Sequence, residues 1–245
     1  MKKHLALAFC SLRPSQLSEK ICDAREQEYL ICLKQLEKVI PESFDILICE
    51  NTINNLDEIK NNELKQFLNT RDTCPIGKEG NIGTVNKGMG ELLMLKSALD
   101  ETDLNLYETV SYITARRFYT CPYVFEKAEN LKKKALISNP DVLYFLSGSF
   151  HESCKVQQYN DMFFSMKTST IIEYANYAMN YINDNHVILG TNPGDPIPWF
   201  GSEQLLYKFI HDNNIEYEWL KYLGVIRNDW EHTKEIFNKN NLMTC

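Results

Sequence analysis

The sequence predicts an α/β protein with one central, mainly parallel sheet and helices on both of its faces. Short apolar runs alternate with amphipathic stretches from the N-terminus onward, which is the pattern of successive βαβ units. We find neither a linker nor an internal repeat in the 245 residues. We therefore expect a single domain over residues 1–229, followed by a charged C-terminal tail over residues 230–245.

The first fifty residues contain one complete βαβ unit. The apolar run at residues 4–10 predicts a strand buried on both faces. A helix is predicted over residues 23–40, where apolar side chains recur at the 3.6-residue period, and Pro41 ends it. The run FDILIC at residues 44–49 is the second strand. We expect this unit to be parallel and right-handed.

The alternation continues through the rest of the chain. Further helices are predicted within residues 53–70 and over residues 87–99, 169–182 and 203–211. Further strands are predicted over residues 108–114, 142–146 and 187–189, and an aromatic-rich strand follows residue 161.

Composition excludes several classes of protein. No apolar run approaches the roughly 18 residues of a membrane span, and the N-terminal run is shorter than a signal-peptide core. The formal charge of −7 argues against a nucleic-acid partner. We interpret the three lysines at 132–134 as a solvated helix face. The eight cysteines lack CxxC spacing and do not predict a disulfide framework, so we expect a cytoplasmic protein.

Polar residues follow the predicted strands at their carboxyl ends. In an open parallel sheet, ligands bind beyond these ends, near the point where the strand order reverses. The loops selected by this rule hold Ser11, Arg13, Glu50, Asn51, Asn81, Lys87, Thr114 and Arg116. Such a set offers acceptors for a ribose or base, backbone donors near glycines, and cations for phosphate. It predicts a nucleotide site.

The glycine-rich stretch NIGTVNKGMG at residues 81–90 allows two interpretations. It opens a predicted helix, and a helix N-terminus with glycines and a lysine can hold an anion. A surface loop with a helix cap at Asn86 explains the same residues. The chain has neither GxxxxGK[ST] nor a GxGxxG after its first strand, which excludes a Walker P-loop and the NAD fingerprint.

Three charged positions likewise have a chemical and a structural explanation. Arg116 ends a buried-type strand, where a guanidinium can bind phosphate or pair with an acidic residue of the chain. Asp161 precedes the aromatic-rich strand and could bind sugar hydroxyls. Glu203 follows a loop carrying Trp199 and Phe200, whose rings we expect to pack in the core. Glu203 could also bind a sugar, or it could match the charge of its helix N-terminus, worth about 0.5 kcal/mol.

Three segments together resemble nucleotide-sugar glycosyltransferases of the GT-A type. More narrowly, they resemble small lipopolysaccharide- or capsule-type glycosyltransferase-like proteins of bacteria and large DNA viruses. Residues 86–99, NKGMGELLMLKSAL, match that group's N-K-G-[IM]-x-E-x-L-L-L-K-x-A-L. Residues 160–167, NDMFFSMK, are similar to its D-x-x-F-F-[AS]-x-[KR], and YITARR at 112–117 corresponds to its K-[IL]-[ST]-G-R-Y. The resemblance implies a single GT-A-like, Rossmann-like domain.

The chain departs from the group's pattern at residues 112–117. Tyr112, Ala115 and Arg117 replace a lysine, a glycine and a tyrosine, whereas Thr114 and Arg116 are retained. Ordinary GT-A enzymes carry a metal-binding Asp-x-Asp at this place, and the chain has no DxD anywhere. The histidines also lack metal-ligand spacing. We therefore predict no metal residues and a reaction without Mn²⁺ or Mg²⁺.

The resemblance implies transfer of a sugar from a nucleotide-diphosphate donor to a hydroxyl of a glycan or lipid-linked acceptor, as in polysaccharide biosynthesis. No cofactor beyond the donor is predicted. The implied roles are phosphate binding for Arg116 and Lys87, nucleoside binding for Ser11, Arg13 and Glu50, sugar or acceptor binding for Asp161, and general base for Glu203 if the reaction inverts the anomeric centre. Acceptor recognition would fall on residues 192–201, with Trp199.

Other functions stay open. A sugar nucleotidyltransferase would use the same sheet, but it typically needs a glycine-rich, cationic loop after the first strand, and residues 11–14, SLRP, contain no glycine. A catalytically inactive binder of glycans or nucleotide sugars would explain the missing DxD. The sequence also leaves open a homodimer, attachment to a membrane through the acceptor, and a viral protein acting in host cytoplasm.

Overall fold

The computed structural model describes residues 3–74, 87–138, 159–185, 202–220 and 223–227. The strands are β1 (Lys3–Cys10), β2 (Phe44–Glu50), β3 (Tyr107–Thr114), β4 (Arg117–Tyr119), β5 (Ala135–Ser138), β6 (Asn160–Lys167), β7 (Tyr217–Leu220) and β8 (Val225–Arg227). The helices are α1 (Glu19–Val39), α2 (Asn62–Asn69), α3 (Lys87–Glu101), α4 (Tyr123–Glu129), α5 (Thr168–Asn185) and α6 (Ser202–Asp212). Two short 3-10 helices cover Leu56–Glu58 and Leu104–Leu106.

A six-stranded sheet with the order β2-β1-β3-β6-β5-β7 forms the centre of the molecule. β1 is parallel to β2 and β3, β6 is antiparallel to β3 and β5, and β5 is parallel to β7. Every strand of this sheet except β6 therefore points in one direction, and β4 and β8 form a separate antiparallel pair. The strand order reverses at β1, because the chain pairs β2 on one side of it and β3 on the other. The carboxyl end of β1 is thus the expected binding position in this sheet.

Each face of the sheet carries its own apolar core. Side chains of β1 alternate between the two, with Leu5, Leu7 and Phe9 on one face and Ala6, Ala8 and Cys10 on the other. Helices α3, α5 and α6 cover the first face, and α1, α2 and α4 cover the second. This arrangement explains the unbroken apolar run of the first strand and confirms the predicted fold class.

Most predicted elements within the described ranges are present, with three differences. The polar stretch 53–70 forms a 3-10 helix and the short α2 rather than one helix. The helix face predicted for the lysines at 132–134 is wrong, although all three are exposed. Their backbone turns into β5, because the N–H groups of Lys132 and Lys133 donate to Glu218 of β7 (2.9 and 3.1 Å). Five short elements (β4, α4, β5, β7 and β8) were not predicted.

Several predictions fall outside the described residues, namely the strands at 142–146 and 187–189 and the tail at 230–245. Five cysteines (Cys10, Cys22, Cys32, Cys49 and Cys74) are buried free thiols, whereas Cys121 is disulfide-bonded. Across the described ranges, no helix has the length and apolar character needed to cross a bilayer.

Candidate functional site

The carboxyl ends of β1 and β2 meet in a polar cluster that we term the β1–β2 cluster, residues 11–13 and 50–52. Glu50 is at its centre, with 1% of its surface exposed. Its carboxylate accepts the N–H groups of Leu12 (3.1 Å) and Thr52 (2.7 Å) and the Thr52 hydroxyl. One buried side chain therefore ties the loop behind β1 to the loop behind β2.

The backbone N–H groups of residues 11–13, which begin the loop behind β1, are all bonded within the protein. The bonds run from Ser11 N to the Tyr29 hydroxyl (2.9 Å), from Leu12 N to Glu50 (3.1 Å) and from Arg13 N to Thr52 Oγ1 (2.9 Å). The next residue, Pro14, has no N–H to offer. The amides of residues 11–13 are therefore not available to wrap a phosphate, as those of anion-binding loops do.

The environment of Glu50 changes its ionisation. Burial raises the pKa of this carboxyl to about 7, since a charge is costly away from water. The donors of Thr52 and Leu12 and the positive charge of Arg25 oppose that rise. Near neutral pH, the side chain that joins the two loops is thus close to its own titration midpoint.

Arg13 lies beside the same loop, but its charge is matched within the protein. Its guanidinium contacts Glu19 (2.8 Å), Asp23 (3.0 Å) and Glu26, all three on α1. Only 9% of the Arg13 side chain is exposed, and Glu26 is fully buried. These ion pairs anchor the start of α1 to the loop behind β1. A contact between Arg13 and a nucleotide stays a prediction.

Asn51 retains unused hydrogen-bonding capacity in this cluster. Its Oδ1 accepts the Ser11 hydroxyl (3.2 Å), and 2% of the residue is exposed. Its buried Nδ2 finds no acceptor among the described residues. A buried donor without a partner costs about 1–3 kcal/mol, so such a group calls for an explanation.

The carboxyl end of β3 carries the second group of predicted residues. Thr114 pairs with Phe9 of β1, so it lies one strand away from the β1–β2 cluster. The Arg116 side chain is 28% exposed, and its Nε lies 3.6 Å from the buried carboxylate of Glu28. The long ion pair and the partial exposure leave this guanidinium accessible from solvent.

Strand β6 brings Asp161 to the same edge of the sheet. β6 runs antiparallel to β3 with Phe163 opposite Ile113, so Asp161 lies level with the end of β3. Glu203 is in the first turn of α6, and its carbonyl accepts the N–H of Tyr159 (3.2 Å). The two predicted carboxylate residues thus belong to adjoining segments.

Other predicted residues are described in part or not at all. Lys87 begins α3, but its side chain and that of Asp161 are outside the described structure. Asn81, Trp199 and the 192–201 loop also lie outside the described residues.

A pocket of about 350 Å³, open mouth included, lies beside this edge on the face covered by α3, α5 and α6. It is lined by residues including Gly88, Glu91, Tyr112, Phe164, Tyr174 and Ser202. The Tyr112 ring stacks between Phe9 (4.4 Å) and Phe164 (4.9 Å) on neighbouring strands. The tyrosine that replaces the lysine of the resembling group is therefore a packing residue on the pocket's floor.

Comparison with known proteins gives similarity in structure only. The sequence matches no protein-family model and no curated protein. Among solved structures, a protein of Desulfovibrio desulfuricans G20 assigned to the nucleotide-diphospho-sugar transferases aligns over 98% of this chain and 89% of its own, with 12% identity and a TM-score of 0.55. The chain has a GT-A-like, nucleotide-sugar transferase fold.

Two further structures share this GT-A-like fold. A cytidylyltransferase of Leptospira borgpetersenii has 12% identity and a TM-score of 0.53, and the match covers 98% of this chain and 88% of that one. Mouse xyloside xylosyltransferase 1 has 7% identity and a TM-score of 0.51, with coverage of 94% and 98%. The predicted fold is confirmed. The solved structures that share it include a cytidylyltransferase and a xylosyltransferase, which are enzymes of two reaction types.

The residues at the end of β3 do not fit a divalent metal. The resemblance implies that an Asp-x-Asp would stand here, but this chain has Thr114, Ala115 and Arg116, and the charge present is a guanidinium. Divalent cations take carboxylate and other oxygen ligands, which a nearby guanidinium disfavours. Within the described ranges, no group of three or more His, Cys, Asp or Glu residues is placed to hold a metal.

Sequence reasoning missed the residues of α1 that build the β1–β2 cluster. Arg25 donates two N–H groups to the Ser11 carbonyl (3.1 and 2.5 Å), and the Tyr29 hydroxyl accepts Ser11 N. The sequence did contain a signal for a third residue of α1, Glu26. It falls between Cys22 and Tyr29 on the apolar stripe of the helix. A carboxylate on a buried stripe indicates an internal cationic partner.

Proposed function

We propose that the protein is a glycosyltransferase that moves a sugar from a nucleotide-diphosphate donor to an acceptor hydroxyl. The GT-A-like fold supports use of a nucleotide sugar in general, and it is shared by a xylosyltransferase and a cytidylyltransferase. The choice between these two reaction types depends on how this chain would hold phosphate.

The choice is supported by the loop behind β1, in which the backbone N–H groups of residues 11–13 are bonded within the protein. A nucleotidyltransferase must hold a nucleoside triphosphate and release pyrophosphate, for which a loop with free amides and a free cation is suited. Here the N–H groups of residues 11–13 are bonded internally, and Arg13 is matched by three carboxylates. A triphosphate would gain little from this loop, whereas a sugar diphosphate needs a cation only at its leaving group.

Arg116 is our candidate for that cation. In glycosyl transfer, the bond between the anomeric carbon and the phosphate oxygen breaks, and the nucleoside diphosphate leaves with added negative charge. A preorganised guanidinium stabilises this charge as it develops, and Lys87 would assist from the start of α3. Ser11 and the Nδ2 of Asn51 would bind the nucleoside, supported by Glu50. Thr114, Arg13 and Asn81 are further proposed donor-binding residues.

The acceptor oxygen forms the new bond to the anomeric carbon and loses its proton. In an inverting reaction, Glu203 would accept the proton, and Asp161 would bind the sugar or the acceptor through its hydroxyls. We propose a glycan or glycolipid acceptor, a role in polysaccharide biosynthesis, and action in the cytoplasm without a bound metal.

The first experiment identifies the donor and then the leaving group. We expect one of the UDP-, GDP-, CMP- or ADP-sugars to raise the thermal midpoint, because a ligand of the native state stabilises it. With that donor and an acceptor extract, free nucleoside diphosphate should be released. Pyrophosphate release from a nucleoside triphosphate and a sugar phosphate would instead indicate a nucleotidyltransferase, and binding without turnover would indicate an inactive binder.

A variant of Asn51 tests the nucleoside site directly. Asn51→Asp keeps the oxygen that accepts the Ser11 hydroxyl and replaces the unused donor with an acceptor. Donor affinity should fall about tenfold, the value of one lost hydrogen bond with its partner left buried. Asn62→Asp, an exposed change at the start of α2, is the matched control and should leave the affinity unchanged. Equal affinities in both variants would remove Asn51 from the site.

A further inference from the structure

Five ring side chains gather where β7 ends and α6 passes it. We term this group the aromatic platform: Tyr159, Tyr207, His211, Tyr217 and Trp219. The Trp219 ring lies 5.0 Å from that of Tyr217 and 5.5 Å from that of Tyr159, both nearly perpendicular to it. The rings of Tyr207 and His211 are 4.0 Å apart, and His211 Nε2 is 2.9 Å from the Tyr159 hydroxyl. These contacts join the five rings into one packed group.

The platform supports a large ring that remains open to solvent. Trp219 is 46% exposed, whereas Tyr159, which contacts it, is only 4% exposed. Most apolar side chains of this size that sit on ordered strands are buried. A rigidly held, exposed aromatic ring is the usual centre of a binding surface, because little conformational entropy is lost when a ligand covers it.

The placement of the charged side chains of β7 favours an uncharged ligand on the aromatic platform. Side chains of a strand alternate between faces, so Glu218 points away from the face that holds Tyr217 and Trp219. Glu218 is also occupied by the backbone of Lys132 and Lys133. Besides the bonded pair of the Tyr159 hydroxyl and His211 Nε2, the platform carries the hydroxyls of Tyr207 and Tyr217, and phenol hydroxyls hydrogen-bond to neutral hydroxyl groups.

The exposed area of Trp219 favours a small ligand. About half of a tryptophan corresponds to roughly 100 Å², whereas a stable protein interface covers about 800 Å² on each partner. An area of this size matches one or two sugar rings, whose C–H faces pack on aromatic rings while their hydroxyls bond at the rim.

The platform is continuous with the candidate site. Trp219 pairs with Ile137, one residue before β5 ends, so it lies at the same edge of the sheet as the ends of β1 and β3. The N–H of Tyr159 donates to the Glu203 carbonyl, and Asp161 follows two residues later. Tyr217 packs on the core beneath α3, α5 and α6, the face that also carries the pocket of Tyr112 and Phe164.

We propose that the aromatic platform binds an uncharged oligosaccharide and holds the acceptor chain while its end is in the candidate site. This inference rests on the proposed glycosyltransferase function and specifies its acceptor as a neutral glycan. Trp219 is its binding residue, and the other four rings position it.

The test is calorimetric titration of the full chain with cellohexaose, xylohexaose, mannohexaose and maltohexaose, with a sulfated oligosaccharide as the charged comparison. At least one neutral hexaose should bind, and the sulfated one should not. Trp219→Ala should weaken binding about tenfold or more, and Trp219→Tyr, which keeps a ring, should stay within about threefold. Leu106→Ala is the matched control, because Leu106 is 57% exposed just before β3 begins, at the opposite edge.

Each outcome is decisive for the platform. Binding that is unchanged in Trp219→Ala, or absent for every neutral hexaose at millimolar concentration, overturns the proposal. A change of oligomeric state in Trp219→Ala by sedimentation would show a protein partner instead and overturns it as well. Failure of the glycosyltransferase proposal looks different, since oligosaccharide binding would remain sensitive to Trp219 while no donor sugar is transferred.

Discussion

Two polar regions lie at the same edge of the sheet and differ in how deeply the protein buries their arginines, Arg13 and Arg116. In the β1–β2 cluster, the loop amides, Glu50 and Arg13 all have internal partners. At the end of β3, Arg116 is partly exposed and has a carboxylate at 3.6 Å. The strand-end rule selects both regions equally. The difference teaches that position marks a candidate residue, whereas a deeply buried charge with several close ion pairs marks a supporting one.

Removal of Arg13 should have the largest effect and should act on stability. Arg13→Ala would leave the fully buried Glu26 without its cation, and breaking a buried pair from one side costs about 3–5 kcal/mol. We expect that loss in chemical denaturation, with activity per folded molecule retained if Arg13 is purely structural. Lys96→Ala removes a solvent-exposed pair with Asp100 on α3 and should cost only a fraction of this. Similar losses in the two variants would contradict the comparison.

The free energy of unfolding should depend on pH through the ionisation of Glu50. The difference between low and high pH should be about 3 kcal/mol. Its folded pKa of about 7 lies above the unfolded value of 4.5, so the folded state holds the proton more tightly. The free energy of unfolding should therefore be highest below pH 4.5 and fall as the pH rises to 7.

Glu50→Gln isolates this contribution, because an amide does not titrate. The variant should resemble the wild type at pH 5 and exceed it in stability at pH 8, as measured by denaturation at each pH. Glu63→Gln, an exposed change on α2, should show a constant difference from the wild type. A constant difference for Glu50→Gln as well would show that the carboxyl is ionised throughout.

The sequence was sufficient for the elements with long patterns and insufficient for contacts between them. The 3.6-residue period of apolar side chains predicted α1, and the apolar run at residues 4–10 predicted β1. β5 and β7 have only four residues each, which is too short for a recognisable pattern. The strand-end rule brought Ser11, Glu50 and Asn51 together correctly.

What could not be predicted depends on distant parts of the chain. The match of Arg13 to Glu19, Asp23 and Glu26 requires the exact rotation of the first turns of α1. The aromatic platform joins residue 159 to residues 207–219, and no local pattern encodes that contact.

Arg116 should show the opposite behaviour from Arg13, with a moderate effect on activity. Arg116→Ala should lower turnover at least about tenfold, as expected for a lost charge on a leaving group. Arg116→Lys keeps the charge without the forked geometry and should lie in between. The loss of stability should be smaller than for Arg13→Ala, since the ion pair with Glu28 is longer. A collapse of the thermal midpoint with unchanged turnover per folded molecule would make Arg116 a supporting residue.

Chelation should have the smallest effect of all. EDTA should leave the transfer rate within about twofold, because the proposed charge on the leaving group is neutralised by the Arg116 guanidinium, which disfavours a divalent metal beside it. The measurement compares dialysed enzyme with EDTA, with added Mn²⁺, and with neither. Complete loss in EDTA and recovery with Mn²⁺ would mean that carboxylates elsewhere in the chain hold a metal, and Arg116 would then need a role other than charge neutralisation. Persistence of activity in EDTA together with its loss in Arg116→Ala would assign the neutralising charge to the arginine itself.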